Sequence, residues 1–572
     1  MKKMKGEKKQ GNGLLRRALA LGLAGTLTAA VLTGCGGSGG GSGDAGDDAG
    51  QGGSAKTEVA DGRHLNFGCY VYSTSYDPAD YQNAAWDGIR HGVTEGLFKF
   101  KDDLTVDYNL CDEYEVSDDK KTWTFHIRDG VQFSNGNDCN AQAVADSLNR
   151  LYTVCATDKK SSTPETFLQT DSITADADAN TVTIVTKEPY ADITSILCFP
   201  FYTIIDVEGD TTDAEHDYTA DGTSVIGTGP YAISSMDETT KCSELVKNEH
   251  YWNGEVPYDS VSVIFIEDDS TKASALKTGD IDLTENITTA SDLEELSGDD
   301  AYYVSKTPSM RTGFAYVNFN GILGKNEALR QAVFKAVDGQ TLCDVTVGGM
   351  YTYGPAVLPA TLSYDYESLK NDFEYDVEGA KKLLDDAGIK DSDGDGFREL
   401  DGEKITLQYI TYTNRCLSDF AEAIQISLSE IGIDVNVNNT DSDTEWNMMQ
   451  AGEYDLCDSN WTTVGTGEPS AFMKNWYGGD KGSEFYVNSK GANYCWYEND
   501  EYDELYDQYM ASTDLDERAD LVIKMEQILI DDCAVLVHGY YNSTFLSNAS
   551  KVTGADIHTV DYYWLSNEIA PK

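Results

Sequence analysis

The sequence predicts an exported protein of two or three domains that contain both strands and helices. Its first 34 residues have the three parts of a secretory signal. More than 500 of the 572 residues follow, which is enough for two or three domains with sizeable cores. Between Thr122 and Arg150, alternating apolar residues give way to apolar residues at helical spacing. This stretch predicts a strand, turns and a helix in that order.

The N-terminal segment predicts a cleaved export signal over residues 1–34. An apolar run from Ala18 to Leu32 follows a leader that is rich in basic residues. This run is too short to cross a bilayer, for which about 20 apolar residues are needed. The basic residues of the leader are Lys2, Lys3, Lys5, Lys8, Lys9, Arg16 and Arg17. No later apolar run in the sequence is long enough to span a membrane.

The end of this segment, Leu32-Thr33-Gly34-Cys35, resembles the signal box of bacterial lipoproteins. The resemblance implies that Cys35 becomes the mature N-terminus and carries lipid, and two or more acyl chains would anchor it stably. Residues 35–60 are then a flexible tether, since 36–55 are almost wholly Gly, Ser, Asp and Ala and reach on the order of 25 Å. We therefore expect a protein anchored on the extracytoplasmic face of the cell membrane. The alternative is an ordinary signal peptide that contains a cysteine.

The chain beyond the signal is strongly acidic. Of the 42 basic and 98 acidic residues, seven basic and one acidic lie in residues 1–34, which leaves 35 and 97 and a formal net charge of −62. Such a charge argues against binding of nucleic acid or anionic lipid by the folded part. Eleven cysteines follow Cys35 singly, without a C-x-x-C pair or metal-ligand spacing. We expect most of them to be small buried hydrophobic residues and infer no disulfide framework.

The stretch from Trp123 to Arg150 closely resembles the signature of the bacterial extracellular solute-binding proteins of family 5, the peptide- and nickel-type receptors of ABC importers. Within it, Asn140 is placed to cap a helix that starts at Ala141. Further motifs of the family follow in order and extend the resemblance over nearly all of residues 62–555. These motifs are Gly227–Tyr231, Asn248–Gly254, Ala275–Asp282, Tyr316–Asn320, Leu329–Asp338, Val377–Gly388, Ile431–Val437 and Tyr454–Leu456.

The resemblance implies an α/β fold, a two-lobed periplasmic-binding-protein-like clamshell with an extra small domain on the first lobe. A ligand would be buried between the lobes, and lobe closure would create a shape that a membrane partner recognises. By motif position, the first lobe comprises 61–100, 205–308 and 543–572, the extra small domain 101–204 and the second lobe 309–542.

The implied function is that of a lipid-anchored, monomeric receptor that captures di- or oligopeptides and delivers them to the transmembrane subunits of an ABC permease. A nickel or metal-chelate receptor of the same family is an alternative. A surface glycoside hydrolase and a sensory adaptor for a receptor kinase are two others. Catalysis has no support from motifs, because the sequence contains no G-x-S-x-G, no H-E-x-x-H and no phosphate-binding glycine loop.

The loop from Trp461 to Pro469 is the first candidate for ligand binding. In peptide-binding members of the family, an aspartate shortly after the tryptophan holds the α-ammonium of the peptide. Here that aspartate is absent, the loop has one extra residue, and Glu468 and Pro469 keep the end of the motif. Because a buried ammonium without a carboxylate costs several kcal/mol, either Glu468 substitutes or the ligand is not an ordinary free-amine peptide. The alternative is that Glu468 faces solvent.

Aromatic residues and one arginine are further candidates for the cleft wall. Aromatic side chains offer a large apolar area and stack on varied ligands. Arg311 precedes the strand at Tyr316 and could hold a carboxylate through two hydrogen bonds. Core packing for the aromatic residues and a surface ion pair for Arg311 are the competing interpretations. The aromatic candidates are Trp461, Trp476, Trp496, Tyr351 and Tyr353.

An acidic loop at 391–399 indicates a possible calcium site. Asp391, Asp393 and Asp395 stand at positions 1, 3 and 5, with Gly396 at position 6. Glu399 is a further acidic candidate, but position 12 is glycine rather than glutamate. If Ca²⁺ binds, its role is expected to be structural; otherwise no cofactor is expected. The alternative is a solvated Asp/Gly turn.

Overall fold

The computed structural model describes residues 63–156, 162–207, 225–359, 361–362, 364–479 and 493–572. The predicted signal, the lipidated Cys35 and the tether lie outside the described residues. All the elements below belong to one compact unit, which spans Val59–Lys572.

The described strands are numbered in chain order. They are β1 His64–Cys69, β2 Phe98–Phe100, β3 Val106–Tyr108, β4 Cys111–Val116, β5 Thr122–Ile127, β6 Thr170–Asp176, β7 Thr181–Thr186, β8 Tyr231–Asp237, β9 Cys242–Lys247, β10 Ser260–Phe265, β11 Leu283–Glu285, β12 Tyr302–Val317, β13 Tyr351–Thr352, β14 Glu399–Leu400, β15 Glu403–Lys404, β16 Thr406–Tyr412, β17 Asp434–Thr440, β18 Leu456–Thr462, β19 Val535–Asn548, β20 Val552–Thr553 and β21 Ala570–Pro571.

The described α-helices vary from three to 17 residues. They are α1 Gln82–Arg90, α2 Ala141–Cys155, α3 Asp269–Thr278, α4 Ala290–Ser297, α5 Ile322–Lys325, α6 Glu327–Lys335, α7 Gly339–Thr341, α8 Val377–Asp386, α9 Leu417–Glu430, α10 Ser442–Ala451, α11 Ser470–Met473, α12 Asp500–Ala511 and α13 Leu515–Asp531. Among the described residues, no helix is both long enough and apolar enough to cross a membrane.

The predicted strand and helix around Asn140 are confirmed. β5 buries Trp123, Phe125 and Ile127 on one face, as their alternation predicts. The Asn140 side chain accepts hydrogen bonds from the backbone N–H of Gln142 and Ala143 at 3.0 and 3.1 Å. These bonds satisfy two of the N–H groups that lack a partner within α2, so the helix begins where the sequence predicts.

One long mixed sheet organises most of the chain. Its strand order is β17-β16-β18-β12-β19-β11-β1-β10-β9-β8, and β13 pairs with β19 off this path. β1 runs parallel to β10, and β16 runs parallel to both β17 and β18. Strands from the first part of the chain therefore form one side of the sheet, and strands from the later part form the other.

Two long antiparallel strands, β12 and β19, join these two sides. Residues 302–308 of β12 pair with 548–542 of β19. After a register shift between Pro308 and Thr312, residues 312–313 pair with 540–539, and after a second shift residues 314–316 pair with 537–535. Beyond the shift β12 also pairs with β18, whereas the other end of β19 pairs with β11. The irregular segment thus lies where the sheet passes from one side to the other, which is the place expected for a hinge.

A separate four-stranded antiparallel sheet, in the order β4-β5-β7-β6, is covered by α2. It belongs to the part of the chain predicted as the extra small domain. The boundaries of the lobes and of the small domain remain a prediction. The eleven cysteines of the described residues are free thiols, and nine of them are buried, so the expectation of small buried residues is confirmed.

Candidate functional site

A cavity of about 1050 Å³ is lined by residues from both sides of the long sheet. The earlier part of the chain contributes residues at 70–72 and 265–291, and the later part contributes 346–347 and 413–419. Tyr541, on the connecting strand β19, completes the wall. Ligand sites favour such concave places between parts of a structure, and this volume is at the upper end of their usual range, roughly 300–1000 Å³. We take this cavity as the candidate site and call it the main cavity.

Arg415 is a cation of the main cavity that the sequence did not single out. Its Nη2 donates to the hydroxyl of Tyr70 at 2.9 Å, and its guanidinium lies 5.5 and 6.0 Å from the ring centres of Tyr70 and Tyr541. No described carboxylate lies within 4.0 Å of this guanidinium. It therefore enters the cavity with most of its donors unused, because an arginine side chain has five.

Lys272 is also at the wall of the main cavity, but its charge is already balanced. Its ammonium lies 3.1 Å from Asp269 and 3.5 Å from Glu285, and it donates to two backbone carbonyls. Burial alone would lower the pKa of Lys272, but Glu285 and Asp269 raise it. This lysine thus stabilises the charged wall and has little capacity left for a ligand.

The predicted candidate Arg311 lies in a buried ion cluster. Its Nε donates to Asp561 at 3.2 Å, and the same carboxylate oxygen accepts from Arg90 at 2.7 Å. The guanidinium of Arg311 also lies 5.3 Å from the centre of the Trp86 ring. Although burial alone would raise the pKa of Asp561, Arg311 and Arg90 hold it below its usual range. Arg311 is therefore buried and already paired with a carboxylate of the protein.

A layer of buried polar groups lies on neighbouring strands β16 and β18. Asp458 Oδ1 is hydrogen-bonded to the Tyr409 hydroxyl and to His538 Nε2, each at 2.7 Å. Within the described residues, Asp458 Oδ2, Asn460 Oδ1 and Thr411 Oγ1 are buried without a hydrogen-bond partner. Since buried polar atoms are nearly always paired, these atoms indicate positions for water or for polar groups of a ligand.

The carboxylate of the candidate Glu468 makes its hydrogen bonds to other side chains of the protein. Its Oε2 accepts from Arg518 at 2.8 Å and from the Tyr509 hydroxyl at 2.6 Å, and Oε1 accepts from the Ser470 hydroxyl. The carboxylate lines a second cavity of about 690 Å³, which is also lined by residues 103–106, 188–192 and 194–196 and by Arg518. Glu468 therefore joins the loop to α11 and α13.

The aromatic candidates do not share one cavity in this structure. Trp461 is partly buried at the end of β18, where its ring contacts Trp446 and Phe472. Trp476 is completely buried against Phe314, Tyr316 and Phe472. Trp476 therefore packs in the core, which was the competing interpretation for this residue.

The other three aromatic candidates lie apart from one another. Tyr351 is buried, and its hydroxyl donates to the backbone oxygen of Arg415 at 2.9 Å. It therefore stabilises the backbone of a residue that lines the main cavity. Tyr353 lines a small separate cavity near Gly339. Trp496 covers Gly452 at the C-terminus of α10, where a Cβ atom on that glycine would lie 2.5 Å from the ring.

The acidic loop brings its four predicted residues together. One carboxylate oxygen from each of Asp391, Asp393, Asp395 and Glu399 lies within 4.8 Å of the others, and the loop is largely exposed. Asp391 also accepts from the backbone N–H of Gly394 and Gly396. The same geometry serves a solvated turn and a calcium loop, so calcium binding remains a prediction.

Arg415 and Tyr70 were missed because neither belongs to a recognisable motif. A positional signal was nevertheless present. Asn414 and Arg415 follow β16 after one intervening residue, Thr413, and β16 has parallel neighbours. Ligands commonly bind beyond the carboxyl ends of such strands. A polar pair at that point is a reason to expect a binding residue.

Known proteins resemble this chain over most of its length. The profile described as "Bacterial extracellular solute-binding proteins, family 5 Middle" matches residues 105–484. A probable D,D-dipeptide-binding periplasmic protein, DdpA of Escherichia coli K12, is 26% identical over 470 residues, which are 80% of this chain and 84% of the relative.

Two solved structures show the same fold. One is NikA from Staphylococcus aureus in complex with Ni(L-His)2, with a TM-score of 0.70, 22% identity and coverage of 89% of this chain and 100% of the other. The second is the oligopeptide-binding protein AppA from Bacillus subtilis in complex with a nonapeptide, with a TM-score of 0.69, 20% identity and coverage of 89% and 99%. The predicted α/β, two-lobed binding-protein fold is confirmed by this agreement.

Proposed function

Because this chain belongs to the bacterial extracellular solute-binding proteins of family 5, we propose that it is the substrate-binding component of an ABC importer. It captures di- or oligopeptides from outside the cell by closing its lobes and delivers them to the permease, acting as a monomer. No bond of the ligand is made or broken. Of the three known proteins named above, DdpA is a probable D,D-dipeptide-binding protein and AppA is an oligopeptide-binding protein in complex with a nonapeptide. The third, NikA, is in complex with Ni(L-His)2, which is the alternative ligand class.

The observation that carries this proposal is the main cavity. It is formed jointly by the two sides of the sheet, and the strands that join those sides are irregular between Pro308 and Thr312. A ligand in such a cavity contacts both sides at once. The ligand therefore binds more tightly to the closed arrangement, in which the two sides are close together, than to the open one. This difference in affinity drives closure.

Native mass spectrometry of the full chain, extracted in detergent without refolding, tests the proposal. We expect a mixed series of co-purified masses that match short peptides and disappear after one round of unfolding and refolding. A single discrete adduct that contains nickel would overturn the peptide assignment in favour of a metal chelate. Such a metal would arrive with ligands of its own, because no histidine is among the described residues that line the main cavity.

We also propose that lipid on Cys35 holds the protein at the outer face of the membrane. The Cys35→Ala variant is expected to leave the membrane fraction and to appear in the soluble extracytoplasmic fraction, because nothing then replaces the acyl chains. Fractionation followed by immunoblotting measures this shift. If the variant stays with the membrane after a high-salt wash although residues 1–34 have been removed, the anchor is not at Cys35.

A further inference from the structure

The second cavity has an exposed apolar rim to which the proposed function gives no role. Its volume of about 690 Å³ lies within the usual range of ligand sites, roughly 300–1000 Å³. Three large apolar side chains on its walls are exposed, Tyr114 by 37%, Met510 by 53% and Leu515 by 61%. A single exposed apolar side chain is common, but several around one concave surface mark a place where a ligand binds. The rim therefore favours an occupant with an apolar body.

Aromatic rings line the second cavity behind this rim. Phe167 and Tyr190 belong to the part of the chain predicted as the extra small domain, whereas Tyr364 and Tyr509 come from the later part. Aromatic side chains offer a large apolar area, and the negative faces of their rings attract cations. An occupant of this cavity would therefore contact rings from both parts of the chain.

The charges on these walls are predominantly negative. Glu468 and Arg518 pair with each other at 2.8 Å, and Glu188 lies 3.7 Å from Lys121. Two other carboxylates have no lysine, arginine or histidine within 4.0 Å among the described residues. The cavity therefore carries a negative charge that the protein does not compensate and that complements a cation. The charged residues that line it are Asp103, Glu188, Asp192, Glu468 and Arg518.

Asp192 is the better placed of the two carboxylates without a cation, because it is half-buried, whereas Asp103 is exposed. Its Oδ1 atom accepts from the backbone N–H and the hydroxyl of Thr194, each at 2.8 Å. These bonds hold the carboxylate in place without neutralising it. Burial raises the pKa of Tyr114, and the charge of Asp192 raises it further, so this carboxylate acts on a ring of the rim. A cation beside them would be stabilised by the carboxylate and by the ring face.

We propose that the second cavity binds an organic cation with an apolar body, such as an alkyl- or arylammonium ion. Its charge lies at Asp192, and its apolar part packs against the rings of Tyr190 and Tyr364. The site is separate from the main cavity, because the two cavities share no lining residue. The inference therefore goes beyond peptide capture and does not depend on it. Since the walls come from two parts of the chain, the bound cation also stabilises the arrangement of these parts.

Three probes that share a phenylethyl group but differ in charge test this inference. They are 2-phenylethylamine, which is a cation at neutral pH, neutral 2-phenylethanol and the anion 3-phenylpropanoate. Each probe is titrated into the full chain in detergent by isothermal titration calorimetry, and the heat of titration into detergent alone is subtracted. We expect the amine to bind about tenfold more tightly than the alcohol, and the anion to show no binding.

Matched variants test whether this binding occurs in the second cavity. Asp192→Asn keeps the shape of the side chain and removes its charge, so the variant should bind the amine and the alcohol about equally. Leu515→Ala should weaken both about two- to fivefold, because it removes apolar area from the rim and leaves the charge. Asp171→Asn, the same change at an exposed carboxylate of the predicted small domain, should keep the preference for the amine.

Equal binding of the amine and the alcohol by the wild-type chain would overturn the inference. An unchanged preference in Asp192→Asn, or an unchanged affinity in Leu515→Ala, would overturn it too, because the probe would then bind elsewhere. Asp192→Asn is expected to fold, since asparagine can accept the same hydrogen bonds from Thr194, and an unchanged melting temperature checks this. If the chain captures no peptides, only the proposed function is wrong, because the second cavity is separate from the main cavity.

Discussion

One charged residue in the main cavity and one in the second cavity differ in the partners that the protein provides. In the main cavity Arg415 contacts no carboxylate of the described residues, whereas in the second cavity Glu468 is held by Arg518, Tyr509 and Ser470. A charge that is fully paired inside the protein stabilises the fold, and its capacity to bind anything else is spent. A charge that is fixed in place but unpaired is available to a ligand. The comparison predicts that stability and binding depend on different charged residues.

The largest expected effect on stability comes from the most completely paired charge, Asp561. Asp561→Asn leaves Arg90 and Arg311 buried without a carboxylate, which costs about 3–5 kcal/mol of the free energy of unfolding. Urea unfolding monitored by tryptophan fluorescence measures the loss. Asp556→Asn, a change at an exposed carboxylate in the same segment, is the matched control. A loss below 1 kcal/mol for Asp561→Asn would contradict the distinction between paired and unpaired charges.

A buried carboxyl group with only neutral partners should make stability depend on pH. Glu526 accepts from the backbone N–H of Val357 and Leu358, and burial raises its pKa from 4.5 to about 7. Because the folded pKa lies above the unfolded one, its stabilising contribution is complete below about pH 4.5 and is lost as the pH rises through 7.

The Glu526→Gln variant isolates this contribution. Relative to wild type, its free energy of unfolding is expected to improve by about 3 kcal/mol between pH 5 and pH 8, because Gln remains neutral throughout. Urea unfolding at the two pH values gives the difference, and exposed Glu430→Gln is the control. If wild type and Glu526→Gln respond equally to pH, Glu526 is ionised without cost in the folded protein.

A smaller loss is expected at the second cavity. Glu468→Gln weakens a charge-assisted bond to Arg518 and one to Tyr509, at a cost of about 1.5–3 kcal/mol. A double-mutant cycle with Arg518→Met separates the pair from the rest of the loop, and we expect a coupling energy above 1 kcal/mol. Peptide binding is expected to change less than threefold. A loss of binding larger than the loss of stability would make Glu468 a ligand residue after all and would break the comparison.

The smallest effect is expected at the acidic loop. If Asp391, Asp393, Asp395 and Glu399 bind Ca²⁺ with a dissociation constant of about 10⁻⁴–10⁻³ M, then 2 mM CaCl₂ adds about 0.6–2 kcal/mol of stability. The melting temperature should rise by about 1–2 °C at most, because the entropy of unfolding is large in so long a chain and a given free energy then shifts the melting temperature little. Asp393→Asn should abolish the rise, and exposed Asp300→Asn should not. An identical melting temperature with CaCl₂ and with EDTA would leave the loop as a solvated turn.

The sequence predicted the fold better than the site. Local patterns sufficed for β5, for α2 and for its Asn140 cap, because the residues that decide these elements are neighbours in the chain. The partners of charged residues are not neighbours. Glu468 meets Arg518 across 50 residues, and Arg90 meets Asp561 across 471. Whether a charge is paired or free is therefore decided by tertiary structure, and no local pattern reveals it.

The prediction for Arg311 shows the same limit. The sequence analysis placed Arg311 before the strand at Tyr316, whereas in the structure Arg311 lies on β12 itself, within the irregular segment. What the sequence could not provide was the conformation of Arg415, whose left-handed backbone is stabilised by Tyr351 from 64 residues away. For this reason the sequence indicated Arg311 as the candidate arginine, whereas the structure indicates Arg415.

The strand order of the long sheet also affects the order in which the protein folds. β19 occupies the centre of that sheet, between β12 and β11, although Leu283 of β11 and its partner Ser547 are far apart in the chain. Before β19 is in place, one edge of β11 and one edge of β12 have unpaired backbone N–H and C=O groups. Such edges can pair with strands of other chains, which is a recognised route to aggregation. Completion of the centre of the sheet therefore waits for β19, and the high sequence separation of these pairings makes that step slow.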